Sequence, residues 1–133
     1  MTITRRRAGA LLAALPLALP LASYATPQRK DTTMYGLIGK MRAQPGQRDA
    51  LAAILLEATA SMPGCLAYVI AKDKLDADAL WITETWDSQD SHKASLALPS
   101  VQAAIARGRP LIAGFGERFE TEPVGGHGLA PQR

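Results

Sequence analysis

The segment CLAYVIAKDKLDADALWITETW, residues 65–86, decides the fold because it contains two strands and the charged turn between them. Residues 65–73 are rich in strand-forming side chains, and residues 74–78 form the turn. Residues 79–86 alternate between two sets of side chains, which is typical of a strand whose two faces lie in different environments. One face carries Leu80, Ile82, Glu84 and Trp86, and the other carries Trp81, Thr83 and Thr85. The segment therefore predicts an antiparallel hairpin.

A strand and a helix precede the hairpin. Residues 34–43 are strand formers, and Gln44-Pro45-Gly46 ends this strand. Apolar residues then recur at helical spacing, at positions Leu51, Ile54, Leu55, Ala58 and Met62. This stripe predicts a helix that packs on a sheet and ends at Pro63-Gly64.

A helical region and a last strand follow the hairpin. Asp87 and Ser88 are suitable caps for a helix through about residue 98, and Pro99 begins a further helical stretch that ends near Gly108. Residues 115–123 alternate again and predict a strand. Its two faces are Phe115, Glu117, Phe119 and Thr121, and Arg118, Glu120 and Glu122.

The element order is β-α-β-β-α-β, which predicts an α+β ferredoxin-like fold: an antiparallel sheet with helices on one face. Several strands carry apolar residues on both faces, so the sheet face without helices must also be shielded from water. A second copy of the same sheet supplies this cover, and we expect a two-fold homodimer, a dimeric α/β-barrel-type assembly.

The first 25 residues differ from the rest of the chain. Three arginines, residues 5–7, precede an apolar run over residues 8–22, and Ser23-Tyr24-Ala25 offers small residues for cleavage. The run is shorter than a membrane span, and Pro16 and Pro20 interrupt it. Residues 1–25 therefore predict a twin-arginine-like signal peptide, with the general secretory route left open, and a periplasmic or secreted protein. Residues 26–33 form a linker, residues 34–124 the domain, and residues 125–133 a flexible tail.

Removing the leader changes the charge balance. Fifteen basic side chains fall to twelve, against twelve acidic ones, so the mature chain has no formal net charge. This balance argues against nucleic acid and anionic membranes as partners. Cys65 is the only cysteine, which excludes an internal disulfide, and we expect it to be a buried structural thiol.

Three segments carry a family resemblance: residues 42–46 (RAQPG), 63–68 (PGCLAY) and 84–88 (ETWDS). Together they make residues 34–124 resemble the antibiotic biosynthesis monooxygenases, which include quinol monooxygenases and the cofactor-free oxygenases of aromatic polyketide pathways. Residues 92–96 and 106–112 are similar to a subgroup named for quinol oxidation.

The chain departs from the family at two histidine positions. Many members carry a histidine nine residues after the tryptophan, where this chain has Ser95, and a second one near Ser100. The histidine of this chain is His92 instead. The haem-degrading relatives carry tryptophan at the Ser95 position and a haem-ligating histidine at the Ile105 position, so their absence argues against haem degradation.

The resemblance implies oxidation of a quinol or a polyketide-like phenol by oxygen, in the periplasm or outside the cell, with neither metal nor flavin. The sequence itself offers no histidine-carboxylate metal spacing and no glycine-rich phosphate loop. A base and aromatic walls are then needed. We predict His92 as the base and Trp86 as the ring that stacks on the quinol and donates from its indole N–H, against the alternatives of a solvated histidine and a core tryptophan.

Three more residues are predicted to bind the substrate. Tyr35 and Tyr68 can line the cavity and donate hydrogen bonds, although strand tyrosines often only pack. Arg109 can anchor an anionic group. Glu84 is interpreted as structural, paired with Arg42 or Lys40.

Other functions are compatible with the same sequence. A dimeric module with a closed pocket would bind small apolar ligands without reacting, and a stress-related protein could keep the fold only for assembly. Oxygen uptake by the purified protein separates these from an oxygenase.

The mature chain is predicted to start near Thr26, because Ser23-Tyr24-Ala25 is the best cleavage site after the apolar run. Mass spectrometry of the exported protein measures this directly. Retention of residues 1–25 on the mature protein, or a purely cytoplasmic location, contradicts export.

Overall fold

Four antiparallel strands form one sheet, in which the order from edge to edge is second, third, first and fourth along the chain, with the helices on one face. The computed structural model describes residues 33–129, so the predicted leader and nearly all of the linker lie outside the described residues. The elements are β1 (Tyr35–Ala43), α1 (Arg48–Ala58), β2 (Cys65–Lys72), β3 (Ala79–Trp86), α2 (Gln89–Ser95), α3 (Pro99–Gly108), a 3-10 turn (Arg109–Leu111) and β4 (Ile112–Thr121). This arrangement confirms the predicted ferredoxin-like fold.

The core lies between the sheet and the helices. Leu80 and Ile82 of β3 pack with Ala43 of β1 and Leu51 of α1, and all four are buried. β1 and β3 are the two central strands, and their register places Leu37 opposite Glu84 and Tyr35 opposite Trp86. Residues on the helix face of β3 are therefore enclosed by β2 and β1 on either side and by the helices above.

Helix α2 is shorter than predicted. It ends at Ser95, and the next three backbone N–H groups bond to carbonyl oxygens three residues earlier, which forms a tighter turn. Leu98 is extended, with ψ of 135°, because it precedes Pro99. The predicted helix through about residue 98 therefore ends three residues early, and the helical stretch predicted from Pro99 is α3.

Strand β4 begins at Ile112, three residues before the predicted start at residue 115. Its register with β1 shifts twice, between Gly39 and Met41 and between Arg42 and Ala43. Phe115 pairs with Met41, and Arg118 pairs with Gly39, so both lie on the helix face. The predicted alternation placed Phe115 and Arg118 on different faces of the sheet. This prediction is wrong because it assumed a regular strand, whereas β4 contains a bulge.

The sheet face without helices carries a row of side chains across all four strands. Val69, Thr83, Ile38 and Phe119 are successive cross-strand neighbours in this row. Phe119 is 54% exposed, and Val69 is equally open. At one end of the face, Asp73 accepts a hydrogen bond from Trp81 Nε1 at 2.8 Å and lies 3.1 Å from Lys40 Nζ. We call this surface the open sheet face.

Within residues 33–129, none of the helices is long and apolar enough to cross a membrane.

The homodimer predicted from the sequence would use the open sheet face, and Phe119→Glu tests this. Two carboxylates would be buried across a two-fold interface, so we expect the dissociation constant to rise at least about 100-fold, giving a monomer at micromolar concentration. Light scattering on the purified protein measures the mass. Leu56→Glu is the matched control, because Leu56 is 60% exposed on α1, away from the sheet. A monomeric wild type at micromolar concentration contradicts the dimer.

Candidate active site

The helix face of β3 ends in a buried carboxylate and a buried indole. Glu84 and Trp86 are two residues apart and therefore lie on the same face of the strand. Glu84 is 9% exposed and Trp86 1%. Trp86 Nε1 donates a hydrogen bond to Glu84 Oε2 at 2.9 Å. This bond holds one carboxylate oxygen in place on the central strand.

The turn from β3 into α2 sets the position of the next site residue. Ser88 is the predicted N-cap, and its side chain accepts a hydrogen bond from Ser91 N at 3.1 Å. Gly64, at a φ of 81°, packs against this helix start, where a Cβ would lie 2.5 Å from Ser91 Oγ. Asp87 N donates to Gly64 O at 2.9 Å, which fixes the turn. His92 follows one turn into the helix and points back over the sheet.

His92 lies against Tyr35, Trp86 and Glu84. Its ring centroid is 5.2 Å from that of Tyr35 and 5.5 Å from that of Trp86, and its side chain is only 14% exposed. His92 Nε2 is 3.7 Å from Glu84 Oε2. This distance is too long for a hydrogen bond but short enough for the carboxylate to stabilise a protonated imidazole. His92 is therefore a partly buried histidine beside an acid rather than a fully solvated helix histidine.

A cavity of about 600 Å³ lies beside Glu84, Trp86 and His92. Most of its lining is apolar and comes from α1, α3 and the start of β4. The polar lining residues other than tryptophan are Thr59, Tyr68, Glu84, His92, Ser95 and Arg109. A largely apolar cavity with a few polar groups is the usual form of a small-molecule site. We call this the main cavity.

The structure brings most of the predicted site residues to the main cavity. His92, Trp86, Tyr68 and Arg109 line it, Arg109 with an exposed side chain beyond the end of α3. Tyr35 is not part of the lining. Its hydroxyl donates to Glu120 Oε1 at 3.0 Å, and its ring supports His92 from the side.

Trp86 differs from its predicted role in what it can donate, whereas Tyr68 does not. The sequence predicted that the indole N–H of Trp86 donates to a quinol. This N–H is already bonded to Glu84, so it cannot also donate to a quinol. The Tyr68 hydroxyl has no hydrogen-bond partner within residues 33–129 and can donate to a bound molecule.

Glu84 is the site residue that the sequence interpretation missed. It was expected to pair with Lys40 or Arg42, but Lys40 lies 3.1 Å from Asp73 Oδ2 and Arg42 lies 2.7 Å from Asp76 Oδ2. Both cations are on the open sheet face, the opposite side of the sheet from Glu84. The alternation of β3 already placed Glu84 with Leu80, Ile82 and Trp86, and that was the signal that could have identified it.

Burial changes the acidity of the groups around the cavity. It raises the pKa of the Glu84 carboxyl, and the Trp86 N–H, His92 and Arg118 offset part of this increase. Burial also raises the pKa of the Tyr68 phenol, and the neighbouring Glu84 raises it further. The pKa of Tyr35 is raised by burial and by Glu120. Both phenols therefore remain protonated at neutral pH and act as hydrogen-bond donors.

Cys65 and the acidic residues are the remaining groups with possible chemistry. Burial raises the pKa of the Cys65 thiol, which disfavours the nucleophilic thiolate. In the part of the chain that the structure describes, no three histidine, cysteine or acidic side chains cluster as metal ligands would.

Comparison with known proteins gives one matching family. The model of the family described as antibiotic biosynthesis monooxygenase matches residues 34–107. This range includes Tyr35, Tyr68, Glu84, Trp86 and His92. No curated protein matches the chain.

Solved structures include similar proteins at high and at low sequence identity. A protein from Chloroflexus aurantiacus J-10-fl, provisionally assigned as an antibiotic biosynthesis monooxygenase, is 71% identical; the match covers 74% of this chain and 100% of that one, with a TM-score of 0.72. A protein from Caulobacter crescentus CB15 with the same provisional assignment is 23% identical, with 71% and 92% coverage and a TM-score of 0.64. A conserved protein of unknown function from Bacteroides thetaiotaomicron VPI-5482 is 20% identical, with 68% and 98% coverage and a TM-score of 0.61. The last two share the fold.

The burial of Glu84 predicts a pH-dependent effect of Glu84→Gln on stability. A carboxyl whose pKa is raised on folding favours the folded state while it is protonated, and this contribution is lost as the pH rises from the unfolded value, about 4.3, through the folded pKa. The variant should therefore unfold at a higher temperature than the wild type at pH 7.5 and at a similar temperature at pH 4, as measured by circular dichroism.

The exposed Glu122 provides the matched control, Glu122→Gln, which should not change this pH dependence. If Glu84→Gln changes the unfolding temperature equally at both pH values, Glu84 is not titrating in a buried site.

Proposed function

The chain belongs to the antibiotic biosynthesis monooxygenase family, and from this premise we propose that it oxidises a quinol or a polyketide-like phenol with molecular oxygen, without a metal or flavin. One observation carries the proposal: the partly buried His92 lies beside the buried Glu84 and Trp86, and all three line a largely apolar cavity. The substrate supplies the electrons, so the protein needs only to remove a proton, hold the ring and exclude water.

The reaction balances without a cofactor. His92 takes the phenolic proton, and the phenolate gives one electron to oxygen, which leaves a ring radical and superoxide. These combine through a new C–O bond at a ring carbon that carries hydrogen. The proton held by His92 returns to the terminal oxygen, and the resulting hydroperoxide loses water to give a carbonyl. One oxygen atom enters the product and the other leaves as water.

His92 is the catalytic base in this proposal, and Glu84 is its positioning residue. When the imidazole accepts a proton, it becomes a cation 3.7 Å from a carboxylate oxygen in a poorly solvated site, where that attraction is strong. The Trp86 N–H fixes that oxygen, so the carboxylate does not need to reorient during proton transfer.

Tyr68 and Arg109 hold the substrate. The Tyr68 hydroxyl remains protonated and donates to the substrate oxygen, which stabilises the phenolate that forms. Arg109, at the exposed side of the main cavity, binds an anionic substituent when the substrate has one. Tyr35 acts indirectly by packing on His92.

A non-catalytic ligand-binding module is the second candidate, and Ser95 favours it. Many family members carry a histidine at this position, whereas here Ser95 is buried and its Oγ donates to His92 O at 2.7 Å. A protein of this kind would bind quinols in the main cavity without consuming oxygen.

The proposal includes the export and the homodimer predicted from the sequence. Residues 1–25 support a reaction outside the cytoplasm, in the periplasm or beyond. The open sheet face, with its apolar row from Val69 to Phe119, supports assembly with a second copy.

His92→Ala is expected to lower quinol turnover about 100-fold or more, the usual scale for losing a general base, without unfolding the protein. Because only a neutral imidazole accepts a proton, wild-type turnover should fall in acid, and the variant should lose this pH dependence. Oxygen uptake by metal-free purified protein, with a panel of quinols, measures both.

His127→Ala is the matched control, since His127 is exposed in the C-terminal segment. Trp86→Phe should mainly raise KM. Wild-type turnover and pH profile in His92→Ala would exclude His92 as the base, and quinol binding without oxygen uptake by the wild type would favour the ligand-binding module.

A further inference from the structure

A second cavity of about 230 Å³ adjoins the main cavity. The two cavities share Met41, Tyr68, Glu84 and Phe115 in their linings. The rest of the second lining consists of Leu37, Gly39 and Lys40 of β1, Ile82 of β3, and Gly116, Glu117 and Arg118 of β4. We call it the side cavity.

The bulge in β4 creates the side cavity. Between the pairs Gly39–Arg118 and Met41–Phe115, one residue of β1, Lys40, faces two residues of β4. Phe115 and Arg118 are three positions apart, and a regular strand would place them on opposite faces. The extra residue puts both on the helix face, where they form two walls of the side cavity.

Gly39 keeps the side cavity empty. It lies on the helix face of β1 between Leu37 and Met41, and a Cβ there would meet nothing within 4 Å. Gly39 does not have positive φ, so the backbone does not require glycine at this position. The neighbouring residues do not require a glycine here either. The absence of a side chain at Gly39 leaves free volume beside Glu84.

The charges around the side cavity indicate a neutral occupant. Both cations of the lining are already paired: Arg118 Nη1 donates to Glu120 Oε1 at 3.2 Å, and Lys40 Nζ lies 3.1 Å from Asp73 Oδ2. The carboxylates of Glu84 and Glu117 also belong to the lining. An added anion would face these carboxylates without a free cation. The other lining groups are mainly aliphatic or aromatic, which favours an apolar group. At about 30 Å³ per water molecule, the volume equals about eight waters, enough for a group of several carbon atoms.

We infer that the side cavity receives an apolar substituent on the ring of the substrate, and that Gly39 determines how large this substituent can be. The inference rests on the proposed function for the position of the ring, whose hydroxyl lies at His92 and Glu84. The ring occupies the main cavity, and the substituent passes Glu84 into the side cavity. The preferred substrates are then phenols or quinols with a neutral alkyl or aryl group.

Hydroquinone, methylhydroquinone, butylhydroquinone and phenylhydroquinone test this, with oxygen uptake giving kcat/KM and anaerobic calorimetry giving binding. In the wild type, each buried methylene should improve binding and kcat/KM about fourfold. Gly39→Val fills the side cavity and should weaken binding of the butyl and phenyl compounds at least about tenfold, while hydroquinone is unaffected. Ala53→Val, at an exposed position of α1 outside the linings of both cavities, is the matched control and should leave all four compounds unchanged.

The binding measurement separates this inference from the proposed function. Discrimination in binding without oxygen uptake overturns the oxygenase and supports the side cavity. Equal binding of all four compounds by the wild type, or equal losses for all four in Gly39→Val, overturns the side cavity even where oxygen is consumed. Should Gly39→Val fail to fold, Gly39→Ala fills part of the space and is expected to give a smaller loss for the same two compounds.

Discussion

A carboxylate buried on the central strand is the constraint on which the site depends. Glu84 occupies a position of β3 that the alternation reserves for the core, between Ile82 and Trp86. A buried charge needs compensation, and the Trp86 N–H, His92 and Arg118 provide it from three different elements. The positions of β3, α2 and β4 relative to one another are thus coupled through one side chain.

The surroundings of these side chains explain why we propose a histidine, rather than a tyrosine, as the group that accepts the proton. Both tyrosines near the site are more weakly acidic than usual, because of burial and nearby carboxylates, and therefore stay protonated as donors. Among residues 33–129, only His92 combines a nitrogen at the cavity wall with an acid that stabilises its charged form. The same burial that makes Glu84 costly makes it effective as a counter-charge.

The sequence predicted what depends on local pattern and missed what depends on partner strands. The bounds of β3 and the cap at Ser88 were correct, because alternation and capping are encoded within a few residues. The bulges of β4 were missed, since a bulge is defined by the register with β1 and leaves little trace in the strand itself. Glu84 was assigned the wrong partners for a related reason: Lys40 and Arg42 are close in the sheet but lie on its other face.

The bulge in β4 also affects how the family can diversify. β4 is an edge strand, bonded only to β1, so a change in its length disturbs one ladder and leaves the β1–β3 core in place. Deleting one residue between Phe115 and Arg118 would reverse the face of every residue on one side of the deletion, and Glu120 would move away from Tyr35. Relatives can therefore acquire a different pocket shape through a one-codon deletion or insertion at the sheet margin, a route that no series of point substitutions reproduces.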